Sequence, residues 1–156
     1  MRGDERTIFL FCLVRRIAIA FIVLVFLACS VCAQDLRQRQ QECEKLFSAA
    51  LAAEQRNDPI NAELRYQECR ELAQKYRLPK MEAAALHRLA VIKARNKRFS
   101  ESANLFRRAI ELDPRNALIL CDFAQLYADR KDFKEAEIIF KNALSIDPNN
   151  PKVLYG

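Results

Sequence analysis

The sequence predicts an all-α fold, an α-solenoid of helix–turn–helix repeats with about three units and the start of a fourth. Three observations predict it. HRLAVIKARNKRFSESANLFRRAIELDPRN, His87 to Asn116, lies over CDFAQLYADRKDFKEAEIIFKNALSIDPNN, Cys121 to Asn150, thirty-four residues later. A fixed period of that length marks stacked units, each too small to bury its own apolar face. Apolar residues recur at helical spacing, as in Leu120, Phe123, Ala124 and Tyr127 at i, i+3, i+4 and i+7. Asp113-Pro114 and Asp147-Pro148 close the two copies at the same register, since proline cannot continue the helical hydrogen-bond ladder.

The chain opens differently. Residues 17–33, IAIAFIVLVFLACSVCA, carry no charge, follow Arg15-Arg16 and end in the small-residue exit Val31-Cys32-Ala33. A basic flank, an apolar core and a small-residue exit are the parts of a secretory signal. The expectation is a leader over 1–33, cleaved before Gln34, and a helical domain over 34–156. A membrane anchor over 17–33 is the alternative, because the run approaches the roughly 20 residues that span a bilayer. Ala28-Cys29 could also be a lipidation site, though Phe26-Leu27 before it fits such boxes poorly. All three place the remainder outside the cytoplasm, periplasmic or secreted.

The elements follow in order. DLRQRQQECEKLF has no breaker, so the first helix is expected to begin near Asp35 and to carry Leu46, Ala49, Ala50 and Ala53. Ala62, Tyr66 and Cys69 make the second helix of a degraded unit, about 43–82, in which roughly six extra residues intrude around Gln74 to Lys80. The second unit, 83–116, carries Leu86, Leu89, Ala90 and Lys93, then Ala103, Phe106, Ala109 and Ile110. Lys93 is the misfit, and its stem can snorkel along the apolar face. The third unit, 117–150, carries Leu120, Phe123, Ala124 and Tyr127, then Ala136, Phe140, Ala143 and Leu144. Asn116 and Asn150 are placed to cap the helices that follow. Pro151 and Leu154 open a fourth first helix, and Ile138, Ile139, Phe140 and Leu144 are left without a cover. The chain is then either the front of a longer protein, or that face is covered by a partner or a second copy.

The pattern resembles the tetratricopeptide repeat. The match rests on Leu120, Phe123, Ala124 and Tyr127 in a first helix and on Ala136, Phe140, Ala143 and Pro148 in a second. Leu120 stands where tryptophan is common, Ala124 where glycine is, Ser102 in a small-residue slot and Lys93 where an aromatic is usual. The resemblance covers about 43–150 and implies a concave groove, lined by first helices, that binds extended peptides. By register that groove holds Phe47, Leu51, Ala84, His87, Arg88, Val91, Leu118, Cys121, Asp122 and Gln125. The carboxylate clamp of some members is absent, because Phe47, Leu51 and Leu118 replace the polar groups it needs. The arrangement also sets Cys43, at the start of a first helix, beside Cys69, at the end of a second. A disulfide there would close a loop of about 25 residues and contribute around 3 kcal/mol. The other reading is that Cys69 fills the small-residue slot held by Ala109 and Ala143, with Cys43 exposed.

Little here suggests catalysis. His87 is the only histidine, and glycine is confined to Gly3 and Gly156, which excludes a glycine-rich phosphate loop. No catalytic constellation, metal site or cofactor is expected. The net charge is +6, and it falls to +4 once Arg2, Arg6, Arg15 and Arg16 leave with Asp4 and Glu5. The densest basic cluster, Lys93, Arg95, Lys97 and Arg98, lacks the interleaved aromatics of a nucleic-acid site. The expectation is a non-catalytic, exported protein-interaction scaffold that binds a peptide or helix, with self-association through the uncovered C-terminal face as a further partnership. The alternative is the docking or targeting portion of a longer exported enzyme or envelope assembly factor.

Overall fold

The computed structural model describes Leu24 and residues 33–149. Most of the apolar leader and the opening of the fourth unit at 150–156 lie outside the described residues. The chain divides into two units, Met1–Arg39 and Gln40–Gly156. In the first, Leu24 and residues 33–39 are helical. Among the described residues no helix is long and apolar enough to cross a membrane.

The second unit begins with α1 over residues 40–55, followed by α2 (Pro59–Lys75), α3 (Pro79–Arg95), α4 (Phe99–Leu112), α5 (Ala117–Asp129) and α6 (Phe133–Ile146). They form three helix–turn–helix pairs, α1 with α2, α3 with α4 and α5 with α6. The start signals are local. Asp58 caps α2 by accepting the Asn61 N–H at 3.2 Å, ahead of Pro59, and Asn116 caps α5 by accepting from Ile119 at 3.4 Å. α4 and α6 stop at Asp113-Pro114 and Asp147-Pro148, as the sequence requires.

The six extra residues around Gln74 to Lys80 do not form a loop. α2 and α3 each have 17 residues, against 14 in α4 and 13 in α5, and the turn between α2 and α3 is one residue shorter than the turn after α4. The insertion is therefore taken up as helix, three residues in α2 and four in α3. Ordinary helix formers such as Gln74, Lys75, Lys80 and Met81 make that extension inexpensive.

Four turns share one geometry. Asn57, Arg77, Lys97 and Lys131 have φ between 55° and 65°. In each, the residue after the positive-φ position donates its N–H five residues back, as Asp58 to Ala53 and Asp132 to Tyr127, both at 3.0 Å. This is the Schellman stop, which satisfies carbonyls that a helix end leaves open. Glycine usually occupies the position; here an asparagine and three basic residues do.

The core is layered by register. Ala90 and Ala124 are fully buried on the first helices, and Cys69, Ala109 and Ala143 on the second, so the small slots let backbones approach. Ser102, also fully buried, donates its hydroxyl to the Ala90 carbonyl at 2.8 Å, which makes a polar atom tolerable there. Phe106 is the central plug, with its ring 5.4 Å from Phe123. On α6 the expected uncovered face divides. Ile138 and Phe133 are two-thirds exposed, whereas Ile139 packs inward against the Phe106 cluster.

Candidate functional site

The residues placed by register in the groove lie on α1, α3 and α5, and their environments differ. Phe47 is half-buried, its ring edge-on to Tyr66 at 5.3 Å, and Leu51 packs beside it against Ala50, Ala53 and Tyr66. Val91 is half-buried against the Phe106 cluster, and Leu118, at the start of α5, is 41% exposed. Ala84 is half-buried, and Cys121 is buried against Leu120 and Ala143. The apolar members are thus partly spent on the core and partly open to a ligand.

The polar members are paired within the protein. His87 is 6% exposed, and its Nε2 lies 2.7 Å from Asp122 Oδ2, tying α3 to α5 across two repeats. Its ring also packs against Phe106 at 6.0 Å. Gln125 donates to Asp129 at 2.8 Å, one turn on along the same helix. Arg88 reaches Glu54 at 3.8 Å. The structure brings His87 and Asp122 together as a buried couple and leaves Gln125 on the surface.

Glu54 was not singled out by sequence, yet it is the hub of this face. It accepts a 2.8 Å hydrogen bond from the Tyr66 hydroxyl, and Arg95 approaches it at 3.5 Å from the end of α3. Burial and the adjacent Glu54 carboxylate hold the Tyr66 phenol well above its usual range. The signal existed. Glu54 lies seven residues after Phe47 and three after Leu51, which puts all three on one helical stripe.

Cys43 and Cys69 are both fully buried and unbridged, and Cys69 Sγ donates to the Cys43 carbonyl at 3.5 Å. Burial pushes the Cys69 thiol up to about 12, and burial with the nearby Glu42 carboxylate raises Cys43 as well. Such thiols are held protonated and are poor nucleophiles. Among the described residues, no group of three or more His, Cys, Asp or Glu could hold a metal ion.

Comparison with known proteins fits this geometry. The family model described as Tetratricopeptide repeat matches residues 93–156. No curated protein matches the chain in sequence. Solved structures that share the fold include the following three. A tetratricopeptide repeat protein from Parabacteroides merdae is 22% identical with a TM-score of 0.60, and the match covers 74% of this chain and 44% of that one. An O-GlcNAc transferase mutant from Thermobaculum terrenum is 21% identical with a TM-score of 0.63, over 71% of this chain and 20% of that one. YrrB, a tetratricopeptide repeat protein whose peptide-binding site is called unusual, is 18% identical with a TM-score of 0.62, over 72% of this chain and 55% of that one. The chain spans under half of the first of these and a fifth of the second. Its described helices form paired helix–turn–helix units of the tetratricopeptide type, and residues 93–156 match that family's model.

Proposed function

We propose that this protein is a non-catalytic, exported interaction scaffold that binds a peptide or an amphipathic helix along the face of α1, α3 and α5. One observation carries the reading. That face offers half-open apolar side chains, Leu51, Val91 and Leu118, interleaved with Arg88, Asp122 and Gln125. Apolar anchors with flanking polar groups are what helix-in-groove and extended-peptide recognition use. The apolar run over 17–33, with its arginine pair and small-residue exit, supports export.

The test is site-specific photocrosslinking in the native host, with benzoylphenylalanine at Leu118 or Val91 and a control at Ile60, which is 80% exposed on α2. Discrete adducts from Leu118 and Val91 but not from Ile60 support the face as the binding surface. The same adducts at all three positions would sink it. Export is read separately, by an alkaline phosphatase fusion after residue 40, active only if the segment leaves the cytoplasm.

A second reading has its own observation. Phe133, Ile138 and Leu144 are exposed on α6, and Phe133 and Leu144 line an opening of about 470 Å³ together with Phe140 and Ala136. That face suits self-association.

A further inference from the structure

One groove departs from the repeat's own logic at several positions at once. It lies between α2 and α4, over α3, with a volume of about 410 Å³. Leu86, Leu89 and Leu105 form its apolar part, while Arg70, Lys93 and Asn104 are among its polar lining. At the equivalent place one unit later, α5 offers Phe123 and Tyr127, thirty-four residues after Leu89 and Lys93. There the two rings pack 5.1 Å apart, and the Tyr127 hydroxyl meets Arg107 at 3.4 Å. In the earlier groove a leucine replaces the phenylalanine, and a lysine replaces the tyrosine. Lys93 is drawn aside to Glu63, so no ring fills the space.

Arg70 is the next departure. α2 leads α4 by forty residues, so Arg70 occupies the register of Ile110, which packs into the core. Arg70 Nε is buried and reaches no acceptor among the described residues. Among the described residues its guanidinium pairs only with Glu71, 3.9 Å from Nη2 and 62% exposed. The other charges on the walls are engaged, Lys93 with Glu63, Glu101 with Arg98 and Arg108 with Glu111. A buried donor without an acceptor is costly, so an acceptor brought in from outside the chain would be favoured there.

We infer that this groove binds a partner's extended peptide segment in which a carboxylate is flanked by aliphatic side chains. The carboxylate would take the Arg70 guanidinium, for which arginine's planar fork is suited. The aliphatic groups would lie on Leu86, Leu89 and Leu105, where the missing rings leave room. A peptide fits better than a fatty acid because the walls carry side-chain amides, Gln67 on α2 and Asn104 on α4, which can pair with a peptide backbone. The volume falls within the roughly 300–1,000 Å³ of ligand-binding pockets. The site lies between second helices, apart from the face of the previous section, and the two stand or fall separately.

The experiment uses the full chain in a mild detergent and follows the Arg70 Nε–Hε resonance while acetyl-Leu-Leu-Asp-Leu-amide is titrated in. A saturable shift is expected, weakened about tenfold or more when the peptide's aspartate is replaced by asparagine. Arg70→Ile restores the repeat's own residue and should keep the helical signal while abolishing the interaction. Lys93→Tyr fills the groove as Tyr127 does and should abolish it independently. Absence of a shift, equal binding of the asparagine peptide, or binding that survives either folded variant would each overturn the inference. So would decanoate producing the same shift at lower concentration, or the resonance moving with protein concentration alone. If crosslinks at Leu118 persist in Arg70→Ile, the first-helix reading is untouched by any of these failures.

Discussion

Replacing Lys97 with glycine should make this protein more stable, although the change removes a side chain and adds nothing. Lys97 sits at φ 59° in the turn between α3 and α4 and is exposed. A residue with a Cβ in the left-handed region loses about 1–2 kcal/mol, from Cβ against the following carbonyl. Glycine escapes that clash but gives up about 0.5–1 kcal/mol through the greater freedom of its unfolded chain. The difference is a net gain of roughly 0.5–1 kcal/mol per site. In a unit of this size that is a rise of about 2–4 °C in Tm. Lys131, at φ 65° and thirty-four residues on, should behave the same way, and the two gains should add because the sites share no partner. Asn57 is the internal comparison. Asparagine tolerates this region, so Asn57→Gly should gain clearly less. Urea denaturation followed by circular dichroism reads the effect as a shift in midpoint at constant slope. Lys97→Gly no more stable than Lys97→Ala, or Asn57→Gly gaining as much as Lys97→Gly, would refute a Cβ cost in these turns.

Alkaline pH should weaken the fold through Cys69 and Tyr66. Both hold their protons more tightly folded than unfolded, so stability is flat below about 9, the ordinary thiol value, and falls as pH climbs toward 12. Urea midpoints at pH 8, 9.5 and 10.5 measure the slope, which Cys69→Ala should reduce; an unchanged slope would remove the thiol from the account. On α6, Ile138→Glu should leave the helical signal intact and, if copies associate through that face, convert an oligomer to a monomer in sedimentation. Ile139→Glu should instead destabilise the fold by about 2–4 kcal/mol, because a charge would enter the Phe106 cluster. Equal melting of the two variants would contradict the inward placement of Ile139.

The fold was legible where the sequence repeats itself. Ala90 and Ala124, Ala109 and Ala143, and Phe106 each fell where period and size placed them, because a position shared by two copies is read twice. The insertion around Gln74 to Lys80 could be counted from the sequence, but its form could not be read there. A count of residues does not say whether they add turns of helix or a loop, and that depends on what α2 and α3 can pack against. His87 shows the same limit. Register put it on the groove side, but its burial depends on Asp122, thirty-five residues away on another helix. Glu54 was missed because an acid among helix-forming neighbours looks solvated until its partners, Tyr66 and Arg88, are folded against it. Lys93 and Arg70 were visible as charges, but the space they frame exists only once three helices meet.

The internal pairings decide which part of the first-helix face a partner can use. His87 and Asp122 are close, 2.7 Å apart, with side chains only 8% and 19% exposed, so separating them would leave a buried polar group unmatched. That couple behaves as a fixed strut between the second and third units. Arg88 and Arg95 stand 3.8 and 3.5 Å from Glu54, and Arg95 is 69% exposed. Glu54 itself is only 15% exposed and also accepts from the Tyr66 hydroxyl, so displacing it would strand a buried carboxylate, whereas the open side of Arg95 can take a ligand carboxylate without that loss. The face therefore has a rigid half around α3 and α5 and an open guanidinium, Arg95, at the end of α3. A partner that places its apolar residues on Val91 and Leu118 and an acid toward Arg88 and Arg95 would use both without breaking the strut. The reverse polarity, a basic group directed at Glu54, would have to compete with two guanidiniums and a tyrosine hydroxyl already in place.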